Sequence, residues 1–174
     1  MKRVLALALL FVIGITGSAR AADQVIFLVR HAERADQAAP AMPATGHSML
    51  PNDPPLSDAG KARAAKLAAM LAASGVKHIF TTEFKRTRET ASPLAEKIKV
   101  TPIMSASKDP GPLVETIQKS TGNVLIVGHS NTVPDLLKRL GVKDTITIAE
   151  TEYDNLFVVV RRAAGEPTLV RLRY

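Results

Sequence analysis

The chain has no cysteine and no tryptophan, and only two tyrosines and five phenylalanines among its 174 residues. Without cysteine, disulfide bonds cannot stabilise the fold, so the hydrophobic core must suffice alone. Aromatic residues are scarce and the chain has no dense Lys/Arg stripe, which argues against a nucleic-acid partner because such partners need stacking rings and basic surfaces. We therefore expect a small globular protein without disulfides and without bound nucleic acid.

Long apolar runs are also missing, except at the amino terminus. Lys2 and Arg3 precede an apolar run over residues 4–15, and Ala19-Arg20-Ala21 follows it, which is the layout of a secretory signal. A membrane anchor is the alternative, but the run falls short of the ~20 apolar residues that a spanning helix needs. We predict a signal peptide over residues 1–21, and an exported, periplasmic or secreted protein that has no membrane anchor after cleavage.

Residues 22–174 are predicted to form one domain. About 150 residues can bury roughly two-thirds of the surface of the unfolded chain, and no internal repeat or low-complexity linker divides them. Without Lys2, Arg3 and Arg20, twenty basic residues remain against sixteen acidic ones. This modest surplus is compatible with an anionic substrate, and equally with an ordinary solvated surface.

Strand-like and helix-like segments alternate along the chain, which predicts a three-layer α/β/α sandwich with a central, mostly parallel sheet. Apolar strands are expected at 24–29, 76–81 and 123–127, and the first is apolar enough to be covered on both faces. Helices are expected at 57–75, 86–98, 113–119 and 132–140, with either a helix start at Ser92 or a kink at Pro93. Three strands are expected at 145–148, 156–160 and 168–173, the last two forming a hairpin.

A long segment without sustained periodicity, residues 32–56, follows the first strand. Loops of that length inside compact domains are usually functional or mobile, so we interpret it as a substrate-side flap, with an unstructured insertion as the alternative. His47 lies in this segment and is expected to be solvated. His78 precedes the end of the second strand and is expected to be structural.

Anion-binding side chains follow three of the predicted strands. Arg30 and His31 end the first strand, Arg86 follows the second, and His129 follows the third. Open α/β sheets bind ligands at the carboxyl ends of their strands. An imidazole can attack phosphorus as a nucleophile, and a guanidinium offers the planar fork of donors that a phosphoryl group needs. The pattern therefore predicts phosphoryl transfer through a phosphohistidine.

These segments resemble the histidine phosphatase superfamily, which includes the cofactor-dependent phosphoglycerate mutases. The family pattern is R-H-G after the first strand, S-x-x-x-R after the second and G-H after a later one. Here it reads Arg30-His31-Ala32, Thr82 to Arg86, and Gly128-His129, in the same order over nearly all of the mature chain. Ala32 replaces the glycine and Thr82 the serine, two small changes that we expect not to touch the chemistry.

The resemblance implies a phosphoglycerate mutase-like fold and a phosphatase that needs no metal or organic cofactor. His31 is the expected nucleophile. Arg30, Arg86 and His129 are the expected donors to the phosphoryl oxygens, which are the groups that carry charge during in-line displacement. The expected partner is a small phosphorylated substrate or a phosphohistidine.

The proton donor for the leaving group is the open point of this pattern. Many relatives carry a carboxylate in a Glu-containing segment after the second arginine, and no such segment is recognisable between Glu89 and Gly122. Glu83, on the same loop as Arg86, is the first candidate, and the others are Glu33 and Asp109. A missing acid would itself favour activated phosphoesters or phosphoramidates as substrates, because their leaving groups need little help.

Three other functions stay open. A phosphoglycerate mutase-type phosphotransferase would share the motifs, although export would separate it from its metabolite. A non-catalytic phosphate- or anion-binding module would keep the arginines without turnover. A histidine metal site is the third, formed from some of His31, His47, His78 and His129, although no pair has the short spacing of a zinc motif. The sequence does not identify the substrate or the oligomeric state.

Overall fold

A computed structural model describes residues 23–37 and 53–174. The predicted signal peptide, His47 and most of the segment predicted to be a flap lie outside the described residues. Within the described ranges, no helix is long and apolar enough to cross a membrane.

Six strands form one sheet in the order β3-β2-β4-β1-β5-β6. Strands β1 to β4 run parallel to one another, whereas β5 pairs antiparallel with both β1 and β6. The prediction of a mostly parallel central sheet is confirmed, with the 156–160 and 168–173 strands paired as a hairpin at one edge. The strands are β1 (Gln24–Arg30), β2 (Val76–Thr81), β3 (Ile103–Met104), β4 (Asn123–Gly128), β5 (Asn155–Arg161) and β6 (Thr168–Arg173).

Helices cover both faces of this sheet, so the three-layer architecture is also confirmed. Successive side chains of a strand point to opposite faces, and on β4 Leu125 and Val127 join one core cluster while Val124 and Ile126 join the other. Both clusters are buried, which explains why the central strands are apolar throughout. The helices in the described ranges are α1 (Asp58–Leu71), α2 (Lys85–Ile98), α3 (Gly111–Lys119) and α4 (Thr132–Arg139).

The first helix begins where its capping chemistry predicts. The hydroxyl of Ser57 accepts a hydrogen bond from the backbone N–H of Gly60 at 3.1 Å. Gly60 also faces the chain just after β1, where a Cβ on this residue would lie 2.2 Å from the carbonyl oxygen of Glu33. A glycine is therefore required for α1 to approach the segment that carries His31.

Three elements differ from the sequence prediction, and one is the short edge strand β3, which the sequence did not predict. Residues 145–148 form no strand, because Ile146 and Ile148, whose alternation suggested one, pack against the core from a segment without strand pairing. A helix start at Ser92 is also wrong, since α2 runs from Lys85 to Ile98 through Pro93. The proline removes one backbone hydrogen bond, and the buried contacts of neighbouring Ala91 and Leu94 keep the helix continuous.

Candidate active site

The carboxyl ends of three parallel strands meet at one edge of the sheet. Strands β2, β4 and β1 are direct neighbours, and Arg30 at the end of β1 is in register with Gly128 at the end of β4. The backbone N–H of His31 donates to the carbonyl oxygen of Gly128 at 2.9 Å. The ring centroids of His31 and His129 are 5.4 Å apart. The structure thus brings the two predicted histidines together.

His31 is buried, with 3% of its surface exposed, and its hydrogen bond fixes its tautomer. Its Nδ1 lies 2.8 Å from the carbonyl oxygen of Ala32. A carbonyl oxygen only accepts, so Nδ1 carries the proton and Nε2 carries a lone pair. Burial lowers the pKa of His31 to about 3, and the charges of His129, Arg86 and Arg30 act in the same direction. The imidazole is therefore neutral at physiological pH, with a nucleophilic Nε2.

His129 is held through both its ring and its backbone. Its Nε2 lies 3.0 Å from the hydroxyl oxygen of Thr82, and its backbone N–H donates to the hydroxyl of Thr132 at 2.8 Å. Burial, followed by the charge of Arg86, lowers the pKa of His129 to about 4. A Cβ on Gly128 would lie 2.7 Å from the Thr132 hydroxyl oxygen, so the glycine makes room for this contact. Thr82, expected not to touch the chemistry, contacts a site imidazole directly.

Arg30 is 2% exposed and is held by the loop that precedes β5. Its Nη1 donates to the carbonyl oxygens of Ala149 and Glu152 at 2.8 and 3.3 Å. Its Nη2 donates to the Glu150 carboxylate at 2.9 Å and to the Tyr153 hydroxyl at 3.4 Å. The Tyr153 ring lies 4.3 Å from the guanidinium carbon. These contacts leave the Nε of Arg30 buried without a hydrogen-bond partner.

Arg86, in the first turn of α2, lies between a carboxylate and an aromatic ring. Its Nη1 is 3.5 Å from Oδ1 of Asp53, and its guanidinium carbon is 4.1 Å from the centroid of the Phe84 ring. The Phe84 ring in turn meets the His129 ring edge to face, with centroids 5.2 Å apart. Burial lowers the pKa of Arg86. Its Nε is buried without a hydrogen-bond partner.

Two buried donors without a hydrogen-bond partner lie at this edge of the sheet. In the part of the chain that the structure describes, the buried side-chain nitrogen and oxygen atoms without a hydrogen-bond partner are Arg30 Nε, Arg86 Nε, Asn155 Nδ2 and the Tyr174 hydroxyl oxygen. A buried guanidinium N–H without an acceptor costs free energy. Phosphoryl oxygens would satisfy such donors, and guanidinium groups bind them with good geometry.

The three carboxylates considered as proton donors all have other partners. Glu83 accepts hydrogen bonds from the hydroxyl and the backbone N–H of Ser107, at 2.6 and 3.0 Å. Burial raises the pKa of Glu83, but hydrogen bonds from Ser107 and from its own backbone, with the charge of His129, together leave this pKa below its usual value. Glu33 forms a bidentate ion pair with Arg63, and Asp109 accepts a backbone N–H at the start of α3. A proton donor needs a raised pKa, which the contacts of Glu83 oppose.

Of the other two histidines, His78 lies away from this edge. A ring nitrogen of His78 lies 3.1 Å from the carbonyl oxygen of Thr121, at the opposite end of β2 from Arg86. His47 lies outside the described residues. Among residues 23–37 and 53–174, no group of three or more His, Cys, Asp or Glu side chains is arranged to hold a metal ion.

Sequence reasoning missed four side chains that contact the predicted arginines. Asp53 and Phe84 contact Arg86, whereas Glu150 and Tyr153 contact Arg30. Glu150 lies 120 residues from Arg30 along the chain, and no local pattern links the two. Phe84 was the most accessible to prediction, since it lies inside the motif that ends at Arg86.

Comparison with known proteins finds one matching family model and solved structures of similar fold. Residues 26–107 match the family model described as the histidine phosphatase superfamily (branch 1). No curated protein matches the chain. The fold is similar to the protein histidine phosphatase SixA complexed with tungstate, with a TM-score of 0.65 and 16% identity over 86% of this chain and 96% of that one. A mycobacterial glucosyl-3-phosphoglycerate phosphatase complexed with VO3 has a TM-score of 0.61 and 14% identity, over 86% and 98% of the two chains.

The family match and the site agree in their residues. The matched range contains Arg30-His31 and the segment from Thr82 to Arg86. The fold brings His129, beyond that range, against His31. Residues 26–107 of the chain match the histidine phosphatase superfamily, and the described fold is that of the similar solved structures.

Proposed function

We propose that this protein is a phosphatase that hydrolyses its substrate through a phosphohistidine on His31. One observation carries the proposal: the buried, unpartnered Nε atoms of Arg30 and Arg86 lie at the strand edge where His31 presents an unprotonated Nε2. The match of residues 26–107 to the histidine phosphatase superfamily supports phosphatase activity. Two proteins of similar fold are named as phosphatases and are complexed with tungstate or VO3, oxyanions that resemble phosphate.

In the first step, Nε2 of His31 attacks the phosphorus atom, and the bond from phosphorus to the leaving group breaks. The leaving group takes the electron pair of that bond and takes up a proton from solvent. Arg30 and Arg86 donate to the phosphoryl oxygens, whose charge is greatest in the transition state. The Nδ1–H bond from His31 to the Ala32 carbonyl holds the ring in place and stabilises the positive charge that develops on it.

In the second step, water attacks the phosphorus atom of the phosphohistidine. The nitrogen–phosphorus bond breaks and its electron pair returns to Nε2 of His31. Inorganic phosphate leaves with the oxygen of the attacking water, and one proton of that water returns to solvent. The depressed pKa of His31 helps here, because a weakly basic imidazole is a good leaving group.

We further propose that residues 22–174 act outside the cytoplasm. This proposal is supported by the charged, apolar and small-residue segments over residues 1–21. Mass spectrometry of the protein recovered from a periplasmic or culture fraction tests it, and the expected amino terminus is Ala22. Recovery of the intact Met1 terminus from the cytoplasm would contradict it.

A substrate screen tests the phosphatase proposal. The purified protein is incubated with phosphomonoesters, phosphoanhydrides and a phosphohistidine peptide, and inorganic phosphate is measured. We expect phosphate release by the parent and by His78→Ala, and none by His31→Ala. Phosphate transfer between phosphoglycerates without net release would instead indicate a mutase-type reaction. Tungstate binding without turnover of any substrate would indicate a non-catalytic anion-binding module.

A further inference from the structure

Asp53 lies against the start of α2 and caps it from a distant part of the chain. Its side chain is 4% exposed. Both of its carboxylate oxygens accept the backbone N–H of Lys85, at 2.9 and 2.8 Å, across 32 residues of sequence. Phe84, the residue that precedes the helix, makes no side-chain capping bond of its own. The first turn of α2 therefore depends on Asp53 for a capping carboxylate.

The same carboxylate also contacts Arg86 in that first turn. Oδ1 of Asp53 lies 3.5 Å from Nη1 of Arg86, while the Phe84 ring lies against one face of the guanidinium. The Nε of Arg86 is buried and has no partner. Asp53 thus contacts Nη1 and Phe84 contacts one face of the guanidinium, whereas the edge that carries Nε is left for another acceptor.

We propose that Asp53 is a positioning residue for phosphoryl binding, which holds Arg86 so that its Nε edge faces the phosphoryl oxygens. This inference rests on the proposed function, because it assigns Arg86 to those oxygens. Asp53 acts through Arg86 and does not touch the substrate. Without this partner the guanidinium would sample other rotamers. The entropy cost of ordering it would then weaken the binding of the phosphoryl group.

Two roles for Asp53 predict opposite changes in anion binding. If its negative charge only opposed the approach of an anion, then removing the charge would strengthen the binding of an oxyanion. If it positions Arg86, then removing the charge weakens that binding. Asp53→Asn separates the two, because the amide keeps an oxygen that can accept the Lys85 N–H and loses the charge that attracts Arg86.

Tungstate binding measured by calorimetry tests the inference. We expect Asp53→Asn to bind tungstate about 10-fold more weakly than the parent, which corresponds to ~1.4 kcal/mol. Asp58→Asn is the matched control, because it also removes a carboxylate at a helix start but one that is exposed and pairs with Lys61. We expect it to bind tungstate as the parent does. In an Arg86→Ala background, Asp53→Asn should cause no further loss.

The outcomes distinguish this inference from the proposed function. If the parent releases phosphate and Asp53→Asn binds tungstate as tightly as the parent or more tightly, the positioning role is wrong and the phosphatase proposal stands. If Asp53→Asn weakens tungstate binding by the same factor in the Arg86→Ala background as in the parent, the positioning role is also wrong. A parent that neither binds tungstate nor releases phosphate would overturn both. Asp53→Ser, a neutral capping residue, gives the same readings should Asp53→Asn fold poorly.

Discussion

The Nε2 atom of His129 lies 3.0 Å from the hydroxyl oxygen of Thr82, 47 residues away along the chain. The hydroxyl of Thr87 accepts the Thr82 backbone N–H and lies 2.8 Å from the carbonyl oxygen of Phe84, to which it donates its own proton. The Thr82 hydroxyl, which also lies 3.0 Å from the Thr87 hydroxyl, can donate its proton to Nε2 of His129. In that arrangement Nδ1 of His129 carries the proton and can donate to a phosphoryl oxygen.

Thr82→Val should therefore lower kcat/KM, because it removes the hydroxyl that contacts Nε2 of His129 while keeping the side-chain shape. A buried group left without its partner costs ~1–3 kcal/mol, or about 10-fold or more in rate. Thr82→Ser keeps the hydroxyl and should stay within a few-fold of the parent. Steady-state kinetics on one activated aryl phosphate gives both values. Equal rates for Thr82→Val and Thr82→Ser would show that the hydroxyl has no such role.

Arg86→Lys should be damaging although it preserves the charge. An ammonium cannot reproduce the planar fork of a guanidinium, and removing one donor to a developing oxyanion costs on the order of 100- to 1000-fold in kcat. Arg88→Lys is the control. Arg88 lies two residues further along α2 and is exposed, so this variant should leave kcat unchanged. If both variants keep the activity of the parent, Arg86 is not a phosphoryl donor.

The two buried histidines should make the protein less stable at acidic pH. The pKa of His31 is lowered to about 3 and that of His129 to about 4, from an ordinary value of 6.5. Below pH 6.5 the unfolded chain takes up protons that the folded protein does not, so the free energy of unfolding decreases as the pH falls towards these lowered values. At pH 5 each histidine accounts for about 2 kcal/mol of this loss.

Urea unfolding at pH 7 and pH 5 measures this effect. The decrease in the free energy of unfolding between the two pH values should be about 2 kcal/mol smaller for His31→Asn than for the parent. Parallel behaviour of the parent and the variant would mean that His31 takes up a proton at its ordinary pKa in the folded protein.

The contacts of Glu83 predict that it is not the proton donor. Ser107 donates two hydrogen bonds to its carboxylate and thereby favours the ionised form. Glu83→Gln should then slow alkyl phosphates and activated aryl phosphates by the same factor. The rate is measured against the leaving-group pKa for the parent, for Glu83→Gln and, for comparison, for Glu33→Gln and Asp109→Asn. A steeper dependence in one variant, by up to ~100- to 10,000-fold for alkyl phosphates, would identify that carboxylate as the donor.

The strand ends could be predicted because their signals are local. Arg30-His31 and Gly128-His129 each follow an unbroken apolar strand, and parallel strands place such ends at one edge of a sheet. The capping bond of Ser57 is equally local, since donor and acceptor lie three residues apart. Each of these features follows from a short stretch of sequence and from rules that hold in any α/β fold.

The partners of the arginines could not be predicted, because they come from distant parts of the chain. Asp53 reaches α2 across 32 residues and Glu150 reaches Arg30 across 120, and only the packed sheet brings them together. The segment from Thr145 to Ile148 alternates polar and apolar residues as a strand does, yet Ile146 and Ile148 pack on the core without strand pairing. Sequence periodicity reports burial, whereas strand pairing depends on the tertiary arrangement.

Trapping of the covalent intermediate tests the central proposal most directly. The parent is mixed with a substrate that carries a radiolabelled phosphoryl group, the reaction is quenched in alkali, and the label bound to protein is followed and mapped to a peptide. The proposed mechanism predicts a base-stable, acid-labile label on the peptide that contains His31, and its absence from His31→Ala. Turnover by His31→Ala within about tenfold of the parent, a difference of only ~1.4 kcal/mol, would contradict a covalent role for His31.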